Sequence, residues 1–241
     1  MIIDAHMHIT KEDVENGIIN VMAKEELYGL VSGTNPENCA FVRQLSENQS
    51  HIIPTYGLHP WYADKYKLDD MAEYLQSCTI IGEIGMDSVW CDVDPGIQRK
   101  IFQLQMDIAE KRGCPVLLHT KGQEKEIGEI IVDYSMPVII HWYSSEYHLE
   151  LYLKRDCYFT AGSDLRQNPA VQQVIREAPL NRLLVESDGI AAVEWATGKA
   201  MTPGELPSLL LDSMNYISEL KGISLPIVQK EMENNLKRLV I

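Results

Sequence analysis

The sequence predicts an α/β fold, in its simplest form a (β/α)8 barrel built as one domain over residues 1–241. Three observations carry this. Short apolar runs alternate with longer amphipathic stretches along the whole chain, with no evident linker or low-complexity segment. Several runs are apolar at nearly every position, as parallel strands covered on both faces are. About eight strand–helix repeats fit a chain of this length, and right-handed crossovers join them into a parallel sheet. A doubly wound open sheet satisfies the same alternation and is the alternative.

The expected strands, in order, are Ile2–Ile9, Leu27–Thr34, Ile52–Pro60, Thr79–Asp87, Pro115–Thr120, Pro137–Trp142, Cys157–Gly162 and Arg182–Asp188. The clearest helix runs from Asp94 to Gly113. Asp94 suits the N-cap, Pro95 the first helical position and Gly113 the stop. Ile97, Ile101, Leu104 and Ile108 fall at helical spacing and predict its buried face. Lys111 and Arg112 occupy the last turn, where positive charge complements the helix dipole. Leu210, Met214 and Ile217, ahead of Gly222, predict a second long helix. Val228, Met232, Leu236 and Leu239 predict a final one.

Composition narrows the function. With 45% hydrophobic residues the chain can bury a substantial core, and its net charge is −14. That charge disfavours diffuse binding to nucleic-acid backbones, which needs clustered Lys and Arg. It leaves open a nucleic-acid substrate held locally by metal ions. The five cysteines include no C-x-x-C pair, so neither a disulfide framework nor a structural zinc site is expected, and a reducing, cytoplasmic setting is. No signal peptide or membrane span is expected, and no obligate protein partner is inferred.

The polar residues sit in revealing places. The chain begins MIIDAHMHIT, and residues two apart on a strand share a face, so Asp4, His6 and His8 point the same way. They lie near the C-terminal end of the first strand, the end that carries the active site in barrels of this kind. Glu83 interrupts the fourth apolar run, His119 ends the fifth, His141 the sixth and Asp188 the eighth, while His59 follows the third. His51 and His148 fall in helical or loop contexts and read as surface residues. Taken singly, each of these is commonly structural: a satisfied histidine, a buried carboxylate or a helix cap. Convergence on one rim is the distinguishing feature. The set suits one or two divalent cations: imidazole favours zinc, and carboxylates admit manganese or magnesium.

The motifs DAHMH, GLHP, GEIGMD, PVLLH, HWYSS and ESD, in that order, resemble the TatD-related metal-dependent hydrolases of the amidohydrolase superfamily. The resemblance spans essentially the whole chain. It implies a TIM-type barrel in which His6, His8 and Asp188 hold one metal and His119 and His141 a second. Glu83 would bridge the two, Asp188 would serve as the base for the attacking water, and His59 would lie in the substrate pocket. Family members include metal-dependent deoxyribonucleases. Departures cluster where substrate would touch: Lys121 stands where the family usually has arginine, the sixth motif lacks its terminal glycine, and Asp188 is followed by Gly189-Ile190 instead of a small residue and proline. The loop AAVEWATGKAMTPGELP is poor in arginine and asparagine. Lys121 is a point charge where arginine would be a bidentate fork.

The expected function is therefore metal-dependent hydrolysis, foremost of a phosphodiester in DNA, with Asp188 and Glu83 as the catalytic carboxylates and His59 and Lys121 facing substrate. Cleavage of a small lactone, amide or phosphoester is the second reading. A non-catalytic, partner-binding barrel is the third.

Overall fold

In a computed structural model, residues 1–240 are described, and they form one eight-stranded parallel sheet in the order β1-β2-β3-β4-β5-β6-β7-β8. The strands are β1 (Ile2–Met7), β2 (Leu27–Gly33), β3 (Ile52–Tyr56), β4 (Ile80–Gly85), β5 (Val116–His119), β6 (Val138–Ile140), β7 (Tyr158–Ala161) and β8 (Leu183–Val185). Eleven α-helices are described: α1 (Lys11–Glu15), α2 (Ile18–Lys24), α3 (Pro36–Ser46), α4 (Ala72–Ser77), α5 (Pro95–Arg112), α6 (Glu124–Ile130), α7 (Leu149–Lys154), α8 (Pro169–Glu177), α9 (Ile190–Thr197), α10 (Leu206–Lys221) and α11 (Leu225–Val240). The expected barrel and its eight strands are borne out; Ile241 lies outside the described residues.

The strands are shorter than their apolar runs. His8, His59, Asp87, His141 and Asp188 all lie just beyond strand ends, in the loops that open the C-terminal face. Left-handed turns follow two of these strands and prevent their continuation. Trp142 (φ 37°) and Asp188 (φ 62°) adopt left-handed conformations, which a strand cannot contain. The turns re-aim the flanking side chains toward the barrel mouth.

Closure between β8 and β1 is made by side chain as well as backbone. The Asp4 carboxylate accepts from the Ser187 backbone N–H (3.0 Å) and hydroxyl (2.5 Å), and the Asp188 N–H donates to the His6 carbonyl (3.0 Å). Burial pushes the Asp4 carboxyl up to about 7 against the Ser187 bonds, which pull it down. Asp4, which shares the face of His6 in the sequence reading, is thus a clasp.

Helix α5 has its expected caps: Asp94 accepts from the Ile97 N–H, and Gly113 is left-handed. Its expected face is only half met: Ile101 and Ile108 pack, partly buried, against the core. Ile97 and Leu104 are exposed, and the buried face carries Gln98, Phe102, Gln105, Met106 and Ala109. Two glutamines disguise that face in the sequence. They are buried because each carboxamide satisfies loop backbone that would otherwise be orphaned. Gln105 accepts from the Leu58 N–H (2.7 Å) and donates to the Leu58 carbonyl (3.0 Å). Gln98 does the same for Asp87, at 2.7 and 2.9 Å. Helix α5 therefore braces the loops that carry His59 and Asp87. The expected core positions of α10 and α11 are buried.

Strand β4 packs against β5 without room for side chains at its glycines. A Cβ on Gly85, whose φ is +147°, would lie 1.9 Å from the His119 carbonyl oxygen. Glycine at this position lets β4 and β5 approach, and with them Glu83 and His119.

Two outcomes are expected. Gly85→Ala forces backbone apart and should destabilise the fold by about 3 kcal/mol or more, read from denaturant midpoints. Gln105→Leu leaves two buried backbone groups unpaired and should cost about 2–4 kcal/mol by the same measurement.

Candidate metal centre

The residues singled out in the sequence come together around one carboxylate. Glu83, 2% exposed, divides its two oxygens between two sets of imidazoles. Its Oε2 lies 3.4 Å from His6 Nε2 and 3.2 Å from His8 Nε2. Asp188 Oδ1 completes that side, 3.2 Å from His6 Nε2 and 3.5 Å from His8 Nε2. On the other side, Glu83 Oε1 lies 2.9 Å from His119 Nδ1, 3.1 Å from His141 Nε2 and 3.4 Å from His59 Nε2.

These spacings fit a cation. Ligands bonded at about 2.0–2.1 Å in a tetrahedron stand about 3.3 Å apart. The His6–His8–Asp188 group and the His6–Glu83–His141 group each have ligand atoms mutually within 4.8 Å. His6 Nε2 is buried without a hydrogen-bond partner and faces two carboxylate oxygens. His119 Nδ1 and His141 Nε2 are 3.1 Å apart. Two lone pairs cannot face each other at that distance unless a proton or a metal lies between them.

Positive charge on the imidazoles satisfies the same geometry. Burial pushes His6 down more than any single partner raises it, but the Glu83 charge and the hydrogen bonds of Asp188 and Glu83 together outweigh it, and the imidazole is held up at about 10. His141 is held well above the usual histidine range and His119 above it, against burial, by Glu83 with Glu186 and by Asp87 with Glu83, respectively. Burial pushes the Glu83 carboxyl up, yet His59, His141 and His6 together hold it well below the usual range. Asp188 is lowered in the same way, by His6 foremost.

Each candidate ligand histidine in the interior has a partner for its other ring nitrogen. His6 Nδ1 is 3.2 Å from the Ser32 hydroxyl, itself 2.7 Å from that of Thr55. His119 Nε2 is hydrogen-bonded to Asp87 Oδ2 at 3.0 Å, whereas His141 Nδ1 stands 3.4 Å from Glu186 Oε1 as a charge partner without hydrogen-bond geometry. Asp87 in turn accepts from the Trp61 indole (2.7 Å), and Glu186 from the Thr160 hydroxyl (2.5 Å). Such outer partners fix which nitrogen is free to bind. Asp87 and Glu186 go unremarked in the sequence reading. Their signal is legible in retrospect: both are carboxylates embedded in apolar runs, where an unpaired charge is untenable.

His59 differs. Its Nδ1 accepts from the Trp61 N–H at 3.3 Å, so the neutral ring carries its proton on Nε2. Burial keeps it neutral, pushing it down to about 4. It therefore faces the centre as a hydrogen-bond donor and not as a lone pair. His51 and His148 stand apart from the cluster; both are half-buried, His51 against the Tyr28 ring at 4.7 Å.

Above the centre opens a cavity of about 610 Å³, lined by His8, His59, Glu83, His119, His141 and Asp188 at its floor. Lys121 reaches its wall, where the ammonium donates to the Ser144 hydroxyl at 3.0 Å.

The family model described as TatD related DNase matches residues 3–240. The chain belongs to the TatD-related DNase family. It is 24% identical, over an alignment 256 positions long including gaps, to the metal-dependent hydrolase YabD of Bacillus subtilis, a match spanning 99% of this chain and 98% of that protein. A stretch covering 84% of this chain and 28% of the human 3'-5' RNA nuclease TATDN2 is 23% identical. Among solved structures, the TatD homologue YJJV of Escherichia coli superposes with a TM-score of 0.85 at 22% identity, covering 99% of this chain and 97% of that one. A TatD family hydrolase of Entamoeba histolytica gives 0.80 at 15% identity, over 100% and 98%. As a TatD family member, the chain is a metal-dependent hydrolase whose His, Glu and Asp clusters could hold the metal. No described helix is long and apolar enough to cross a membrane.

Two outcomes follow from the centre. Asp87→Asn removes the acceptor that orients His119 and should weaken metal binding by about 10–100-fold, measured by competition with a chromophoric chelator. The second concerns pH. A histidine raised in the folded state contributes stability fully present below its unfolded value of 6.5, lost as pH rises through its folded value of about 10. Ligands already deprotonated by metal do not follow this course. The difference in melting temperature between metal-loaded and chelated protein should widen from pH 6.5 toward 10; a constant gap would contradict it.

Proposed function

We propose that this chain hydrolyses phosphodiester bonds in nucleic acid, with one or two divalent ions held by His6, His8, Glu83, His119, His141 and Asp188. The carrying observation is the division of Glu83: one oxygen faces His6 and His8, the other His119 and His141. In this reading Glu83 bridges two ion sites. The likeness to a human RNA nuclease and the family's description support a nucleic-acid substrate.

When bound, a divalent ion lowers the pKa of water and draws charge from a phosphoryl oxygen. The residues supply the rest. Asp188 is partly open to the cavity and ionised, so it is the group that accepts the proton of the attacking water. His59 offers its Nε2–H to a substrate oxygen. Lys121 meets charge that develops on the phosphate, and its fixed position beside Ser144 suits electrostatic stabilisation. Asp87, Ser32 and Glu186 hold the imidazoles in their binding orientation.

A second reading, hydrolysis of a small phosphoester, lactone or amide, draws support from the cavity wall. Glu124 and Asp164 lie there with Lys121 as the one Lys or Arg among the described residues lining it.

Elemental analysis of the purified protein should find up to two metal ions per chain, and chelation should abolish cleavage of a single-stranded oligonucleotide. Asp188→Asn should lower kcat by about 10²–10⁴-fold. Full turnover in that variant removes Asp188 as the base. Turnover of small esters with none of oligonucleotides favours the second reading.

A further inference from the structure

All four tryptophans of the chain line the cavity. They fall into two kinds. Trp61 and Trp142 are tethered, their indole N–H groups donating to Asp87 and Asp164, each at 2.7 Å. Trp90 and Trp195 have no such tether among the described residues. They come from different segments, the loop after β4 and helix α9, and meet edge to face with ring centroids 5.7 Å apart and planes at 89°. Yet they remain 51% and 69% exposed.

Indoles carry the largest apolar surface of any side chain, and leaving two of them together in water forgoes the stabilisation that burial would bring. A strut between two loops would bury its rings. These keep most of their area free, at the mouth of a cavity whose floor is the candidate metal centre.

Charge around the same cavity limits what can occupy it. Lys121 shares the cavity lining with carboxylates at Glu83, Glu124, Asp164 and Asp188. A groove that follows a nucleic-acid backbone combines many cations with its stacking rings. This one offers a single cation and a ring platform.

We infer that Trp90 and Trp195 form a stacking platform for one nucleobase, so that the cavity takes a terminal nucleotide with its scissile phosphate, and that short single strands are the substrates. The inference rests on the phosphodiesterase reading above. Stacking on indole tolerates any base, since every base has a π-face. Strand length beyond the terminal nucleotides then adds no binding.

Calorimetric titration of the purified protein with 5′-dAMP, and with deoxyribose 5-phosphate as the base-free control, tests the platform without turnover. The nucleotide should bind more tightly than the sugar phosphate. Trp90→Ala and Trp195→Ala should each weaken its binding about tenfold and leave the sugar phosphate unchanged, whereas Trp90→Phe and Trp195→Phe should each retain it. In parallel, kcat/KM for a dinucleotide, a tetranucleotide and a long single strand should agree, with a salt slope near −0.7, the value for one neutralised phosphate. Equal binding of nucleotide and sugar phosphate, or indifference to both alanine variants, overturns the platform. Efficiency that climbs with strand length, with a steep salt slope, overturns the short-substrate assignment. If no phosphodiester is cleaved but dAMP binding depends on the tryptophans, the phosphodiesterase reading fails and the platform stands. Cleavage that ignores both tryptophans leaves that reading intact and removes the platform.

Discussion

Glu83 sits in the middle of an apolar strand, closed off from water, and a carboxylate in that position must either lose its charge or be surrounded by positive partners. The chain surrounds it. Imidazoles from the ends of β1 and β5, and from the loops after β1, β3 and β6, converge on its two oxygens. This requirement explains the GEIG sequence. A strand that delivers a carboxylate to the barrel axis must approach β5 closely, and glycine at 82 and 85 permits it. The same requirement explains why so many hydroxyls and carboxylates, among them Ser32, Thr55, Thr160, Asp87 and Glu186, are buried around the histidines. Each ring needs its far nitrogen fixed before its near one can be aimed.

The supporting shell extends into the helical layer. Gln98 and Gln105 are interior residues of α5, and their work is to hold Asp87 and Leu58 by the backbone. His59 follows Leu58 directly, and Asp87 orients His119. One helix face thus positions a ligand-side donor and an outer carboxylate at once. A loss of packing in α5, well away from the cavity, would therefore be felt at the centre.

Much of this was legible in the sequence because strand ends in a barrel are functional positions by construction. His6, Glu83, His119, His141 and Asp188 announce themselves as polar residues ending or interrupting apolar runs. Strand limits were less legible, since hydrophobicity continues past the last ladder bond; the left-handed turns at Trp142 and Asp188 come only after β6 and β8 have ended. The face of α5 was half misread for a related reason. Burial there is decided by hydrogen bonding as well as by hydrophobicity, and glutamine with a fully bonded carboxamide is an interior residue that periodicity counts as exterior. The paired tryptophans were invisible as a pair, since nothing in a linear sequence relates the loop after β4 to helix α9.

The clasp between Asp4 and Ser187 joins positions separated by 183 residues. His6 and His8 lie beside one end of it and Asp188 beside the other. One half of the centre is therefore synthesised first and completed almost last, when β8 docks on β1. Until then Glu83 and the early histidines exist without the carboxylate that closes their side. Under the proposed ligand set, metal affinity would report on barrel closure: an ion held by residues at both ends of the clasp would draw the first and last strands together, and a chain that fails to close would have no complete site to offer.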